Sequence, residues 1–247
     1  IDSNGDATIP YSETGTLSNK VQIKLSRYVF DENGNETDNT DQYIKEYYSG
    51  FTPQWQTIEQ SEEIENFKAS VAVNGGYYIA RYEASYGLDG IPNSKLSVAY
   101  SGNGVEGRLW NWIEQTDAIT ASKNIYQEIN SNLINSYAWD TAILYIQKCS
   151  GITNYSRKTT QNTVLSNTGS NKDEACKIND LASNLREWTT ESAHWKISSG
   201  YNPGVVVRGV SYEHTDYYTS FRGENNNTYT VLPTDAAEDV GFRVILY

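Results

Sequence analysis

Cysteine, basic residues and long apolar runs are all scarce in this 247-residue chain. Only two cysteines occur, Cys149 and Cys176, and their separation resembles no metal-site spacing. One structural disulfide between them, as in an exported protein, and a pair of buried free thiols both fit the sequence. Lys and Arg number 19 against 31 Asp and Glu, giving a formal charge of −12. That balance lacks the basic patches that nucleic acid and anionic membrane need, and it argues against both as partners. No apolar run approaches the roughly 18 to 20 residues that span a bilayer, so this segment itself is expected to make no membrane contact. No signal peptide is visible, and an export signal or anchor upstream of Ile1 is expected. No internal repeat or low-complexity tract divides the chain.

Aromatic residues are abundant, with 20 Tyr, 6 Trp and 5 Phe in a chain only 38% hydrophobic. Much of the core must then be aromatic, with polar tips reaching partners or water. The C-terminal part has the clearest plan. Val205, Val206 and Val207 read as a strand leading into Arg208 and Gly209, and Gly241 to Tyr247 reads as another. Between them, Ser211 to Thr230 is built almost wholly from Ser, Thr, Tyr, Asn, Asp, Glu, His and Gly. That is the vocabulary of antibody-type paratopes, in which Tyr supplies rigid contact area and small polar residues supply adaptable hydrogen bonds. A solvated loop between strands has the same composition.

From the start, Ile1 to Ser18 reads as a linker or N-terminal tail, and residues 19–247 as one ligand-binding domain. Asp2, Asn4 and Asp6 have a calcium-loop rhythm without the glutamate or flanking helices that such a loop requires. Val21 to Phe30 alternates as a strand, and Asn33 with Gly34 marks a turn. The spacing of Ile64, Phe67 and Val71 predicts a helix over Thr57 to Val73, with Thr57 and Gln60 as a capping box. An aromatic strand is expected over Tyr77 to Ala84, then a surface excursion over Ser85 to Gly107. Further helices are expected over Asp117 to Ile129 and over Ser136 to Lys148, the latter capped by Ser136 and buried through Trp139, Ala142, Ile143 and Ile146. Helices early, strands late and long irregular connections give an α+β fold.

Four stations in this order resemble the formylglycine-generating-enzyme (sulfatase-modifying factor) branch of the C-type lectin-like fold. They are Gly76 to Ser85, Asp180 to Trp188, Arg208 to Tyr212 and Gly241 to Val244. The resemblance implies short antiparallel strands, a few helices and long irregular connections from about Val21 onward. Ser183 and Val210 stand where the family has glycine. Formylglycine chemistry needs cysteine after the Arg208 station, and none lies between Val210 and Tyr247. The likeness therefore implies the fold without the nucleophile, leaving a degenerate oxidase as one alternative. The end of the chain is similar to the variable proteins of diversity-generating retroelements, whose diversified segment uses codons for Asn, Tyr, Ser, Thr, Asp, His and Gly. That likeness implies a non-catalytic, surface-displayed receptor, on a bacterial cell or a phage particle.

Within the insert, the residues expected to face a ligand are Tyr212, His214, Asp216, Tyr217, Tyr218, Asn225, Asn226, Asn227 and Tyr229, followed by Glu213, Thr215 and Ser220. About a third of them should point inward. Trp195 and His194 are expected on an exposed rim, whereas Phe221 and Arg222 belong to the frame. Trp139 and Trp188 are expected in the core. Asp180 and Glu187 are expected to be structural carboxylates paired with Arg208 and Arg243. The expected partner is a protein, with a glycan as the alternative, since a broad Tyr-rich surface suits flat epitopes. No cofactor is expected. The Glu-Pro-Asn type of sugar-binding calcium motif is missing, although structural calcium held by carbonyls and scattered Asp and Asn is compatible with the composition.

Overall fold

The computed structural model describes residues 6–8, 20–39, 55–59, 62–125, 128–197, 200–223 and 234–247. Its axis is one long strand, Arg186–Ile197. The strand Gly200–Arg208 returns antiparallel along it, and Arg222–Gly223 pairs with the outer edge of that return. On the other edge of the long strand, the first half pairs in parallel with Val240–Phe242 and the second half antiparallel with Trp55–Glu59. A second sheet places Val244–Leu246 between Tyr78–Ile79 and Ser131–Leu133.

Arg243 separates the two C-terminal strands and turns the chain from one sheet to the other. Its buried guanidinium donates to both carboxylate oxygens of Glu187 and to the carbonyls of Ala80 and Asn179, so one side chain joins four segments. Arg243 and Glu187 thus pair as expected. Asp180 instead accepts the Gly169 N–H and the Asn171 amide.

Among the described residues three α-helices pack on the sheets: α1 (Glu62–Asn74), α2 (Gln115–Lys123) and α3 (Ser136–Cys149). Ile64, Phe67 and Val71 form the buried stripe of α1, and Gly75, at φ 77°, closes the helix by donating to the Val71 carbonyl. Helix α1 does not begin at Thr57: that residue lies in the strand Trp55–Glu59, opposite His194, and Gln60 lies outside the described residues. Pairing with the distant strand satisfies its backbone before the helical pattern begins. In α3 the cap is Asn135 rather than Ser136, its side chain accepting the Ala138 N–H at 3.0 Å. The expected stripe of α3 is buried, but so is most of its circumference, because sheet, hairpin and loop all pack on it.

Trp139 and Trp188 are both fully buried, and each indole N–H finds a carbonyl, Thr219 and Ile113 respectively, at 2.9 Å. Truncating either to alanine would cost about 3–5 kcal/mol. The expected strand Val21 to Phe30 is split in two: Lys20–Gln22 pairs with Asp6–Thr8, and Tyr28–Phe30 pairs with Glu36–Asn39. Between them the chain dips into the core at Ile23, Ser26 and Arg27. The expected turn forms at Asp31, whose carboxylate accepts the Asn33 and Asn35 N–H groups. From Tyr77 to Ala84 only Tyr78–Ile79 is strand.

Cys149 and Cys176 are free thiols rather than a disulfide, and both are half-buried. Burial, with Cys176 as a second cause, pushes the Cys149 thiol up to about 11. No helix among the described residues is long and apolar enough to cross a membrane.

Candidate functional site

The site lies where the three central strands start or end: Arg186 opens one, Arg208 closes the next and Val240 opens the third. The chain leaves Arg208 through Gly209, at φ 84°, where a Cβ would lie 2.9 Å from the Trp139 ring. Both the backbone angle and the indole therefore demand glycine. Successive turns follow: His214 N–H bonds to the Ser211 carbonyl, Tyr217 N–H to His214 and Phe221 N–H to Tyr218.

This turning segment is fixed from beneath. The Thr219 and Ser220 N–H groups donate to the Lys158 and Ser156 carbonyls, and the Tyr212 N–H donates to Asn184. The Trp139 indole and the Arg208 guanidinium hold the carbonyls of Thr219, Ser220 and Phe221. Arg208 and Arg222 converge on the buried carboxylate of Asp140, which also accepts the Tyr28 N–H. Arg208 therefore pairs with Asp140, not with Asp180 or Glu187 as expected. Phe221 and Arg222 are buried in the frame.

A ring stack runs through the segment. His214 lies 4.9 Å from Tyr217 with the planes 6° apart, and Tyr217 lies 4.0 Å from Phe221. Nearby, the Arg157 guanidinium sits 3.5 Å from the centre of the Tyr218 ring.

Of the residues expected to face a ligand, Glu213 and Asp216 are exposed, and Tyr212, His214, Thr215 and Tyr218 are partly so. Tyr217 and Ser220 are 8% exposed and belong to the packed layer. Asn225, Asn226, Asn227 and Tyr229 lie outside the described residues. Trp195 and His194 sit on the long strand far from Arg186, their side chains outside the described set.

Sequence reasoning missed the acidic pair Glu238 and Asp239. Asp239 is buried; its Oδ2 accepts Arg186 Nε and Nη2 at 2.8 and 2.6 Å and the Ser211 hydroxyl at 2.9 Å. His214 Nε2 approaches the same oxygen at 3.6 Å. Burial, and then the charge of Arg186, lower the His214 pKa, so at neutral pH a neutral ring faces the carboxylate. Burial, then Asp239 and Glu238, raise the Glu213 pKa. Burial, then Glu213 and Glu238, raise that of Tyr212. Asp239 stands two positions before the Gly241 station, and that adjacency was the one signal available.

Two clefts lie elsewhere. One of ≈ 870 Å³ is polar and lined by Glu62, Glu63, Asn66, Asn130, Asn132 and Tyr247 among others. One of ≈ 340 Å³ is flanked by Tyr78 and Tyr82. Neither shares a residue with 209–223.

Residues 126–247 match the family described as sulfatase-modifying factor enzyme 1-like domain. Among solved structures, "Crystal Structure of CarF" is similar at 13% identity, with 70% of this chain and 89% of that chain covered and a TM-score of 0.47. "Structure of PvdO from Pseudomonas aeruginosa" is similar at 12% identity, with 69% and 80% covered and a TM-score of 0.46. No curated protein matches the chain. With its few helices and short, mostly antiparallel strands, the chain has an α+β fold, and residues 126–247 of it are of the formylglycine-generating-enzyme type.

Proposed function

We propose that this chain is a non-catalytic ligand-binding domain, the variable protein of a diversity-generating retroelement, displayed on a bacterial or phage surface and binding a protein through the segment 211–230. The observation that carries this reading is the division of work within 209–222. The segment is held mainly by its backbone groups, by Gly209 and by buried Tyr217, Thr219, Ser220, Phe221 and Arg222. Glu213 and Asp216 are exposed, and Thr215 and Tyr218 are partly so, the latter with one ring face against Arg157. Side chains on the face can then change without unfolding the frame. A preorganised face of this kind meets its ordering costs before a partner arrives.

The competing oxidase reading needs an activated thiolate near the Arg208 station. Burial raises both thiols, the reverse of the lowered pKa that makes cysteine reactive. Glycan binding is the second reading, favoured by the polar cleft with its amides, acids and Tyr247. The test is sequencing many copies of the gene from the source population, codon by codon. The proposal expects substitutions at adenine-containing codons between Ser211 and Thr230, with Arg208 and Gly241 to Arg243 constant. Variation no greater there than elsewhere would overturn it, and glycan-array binding abolished by changes at Asn130 and Asn132 would favour the second reading.

A further inference from the structure

We propose that Glu213, His214 and Asp239 form a binding site for a first-row divalent cation of the zinc class, open towards the ligand face. One donor atom from each of the three residues lies within 4.8 Å of the other two. Tetrahedral ligation at about 2.0–2.1 Å sets donors roughly 3.3 Å apart, so a small side-chain adjustment closes the set. His214 Nε2 and Asp239 Oδ2, at 3.6 Å, are already near that spacing.

The three residues run from exposed Glu213 through half-buried His214 to buried Asp239, the gradient expected of a site with a protein floor and an open top. Asp239 is preorganised: Arg186 and Ser211 both donate to its Oδ2 and fix the carboxylate in place. Outer partners of this sort orient a ligating carboxylate and fix its geometry.

Charge favours a cation in spite of Arg186. Glu213, Glu238 and Asp239 supply three carboxylates around one guanidinium; burial first, and then repulsion from Asp239 and Glu238, raises the Glu213 pKa, and a bound cation would relieve the repulsion. The donor types select the ion. One imidazole nitrogen with two carboxylate oxygens suits zinc and its first-row neighbours; calcium prefers oxygen throughout, and cuprous copper prefers sulfur. Three protein donors leave a coordination position for water or for a carboxylate or imidazole of a partner. The site rests on this donor set alone and not on diversification of the segment, so the two proposals fail separately.

The experiment titrates the full chain, stripped with chelator, with zinc sulfate by calorimetry and with cobalt chloride by visible absorption. One equivalent should bind. Affinity should fall at least about 10-fold in Glu213→Gln and more in His214→Ala, with His194→Ala, the only other histidine, unchanged. Glu213 is exposed, so its variant keeps the fold and the comparison stands even if His214→Ala is unstable. The cobalt complex should show d–d bands without the intense near-ultraviolet band of thiolate ligation. No saturable binding, equal binding by Glu213→Gln, or a thiolate band implicating Cys149 and Cys176 would overturn the proposal.

Discussion

Substituting Asp140 with asparagine tests whether the face is supported by buried charge. Asp140, Arg208 and Arg222 are all at most 2% exposed, and the one carboxylate accepts both guanidiniums and the Tyr28 N–H. Asparagine keeps the shape but removes the charge, and its amide nitrogen must face a donor. Two buried cations then lose the anion they share. Breaking one buried pair costs about 3–5 kcal/mol, because an uncompensated charge stays in a low dielectric. At roughly 2–4 °C per kcal/mol for a chain of this size, melting should fall by about 10 °C. The loss should also be felt locally, since Arg208 holds the Phe221 and Ser220 carbonyls at 2.9 and 3.0 Å. Urea denaturation gives the stability, and amide exchange at Gly209 and Phe221 gives the local effect; both amides should exchange faster than those of α1. A variant within about 1 kcal/mol of the parent, with unchanged exchange in 209–221, would refute the reasoning.

Other perturbations separate frame from face. Gly209→Ala combines a left-handed backbone with a Cβ 2.9 Å from the Trp139 ring, and should cost about 2–3 kcal/mol in urea denaturation. Thr215→Ala with Asp216→Ala should stay within about 0.5 kcal/mol of the parent by the same assay, and a larger loss would show that the face is structural. Cys149, pushed up to about 11, should be alkylated by iodoacetamide on the order of 100-fold more slowly at pH 8 than a free cysteine, and faster as the pH rises towards 11, as followed by peptide mass spectrometry. Glu83 is fully buried and accepts from the Asn184 amide and the Leu185 N–H, and burial, then the charges of Asp180 and Glu187, raise its pKa. Its raised folded pKa contributes stability that is fully present below the unfolded value and is lost as the pH rises through the folded value. The urea midpoint should therefore climb as the pH falls through the folded value towards the unfolded one. A midpoint that falls steadily on acidification would contradict that sign.

What was legible in the residues was mainly what short-range chemistry decides. The α3 stripe of Trp139, Ala142, Ile143 and Ile146, the turn at Asp31 to Gly34 and the four motif stations each carry their cause within a few positions. The misread elements have causes far along the chain. Thr57 and Gln60 form a passable helix start on paper, yet Trp55–Glu59 is drawn into a sheet by residues 192–195. Tyr77 to Ala84 alternates like one strand, yet only Tyr78–Ile79 pairs regularly. From there, the Ala80 and Ala84 N–H groups follow the carbonyls of Val244 and Phe242 across the break at Arg243.

The candidate site divides in the same way, and the division explains why its face was easier to read than its floor. Tyr, Ser, Thr and Asp crowd 211–222, so composition marks the stretch. Composition says nothing of direction, because successive turns, not strand alternation, decide which side chains point out. Tyr217 and Ser220 go inward for that reason, while Glu213, a weaker choice by composition, stands most exposed together with Asp216. The floor is assembled from Asp140, Arg186 and Asp239, which are separated from their oppositely charged partners by 53 to 82 positions. Each is an ordinary charged residue until the sheet closes. Buried charge is costly unless paired, so substitution is poorly tolerated where these residues meet. A segment anchored there by its backbone can afford to change its outward side chains, and on that reasoning tolerance at 213, 215 and 216 follows from intolerance at 140, 208 and 222.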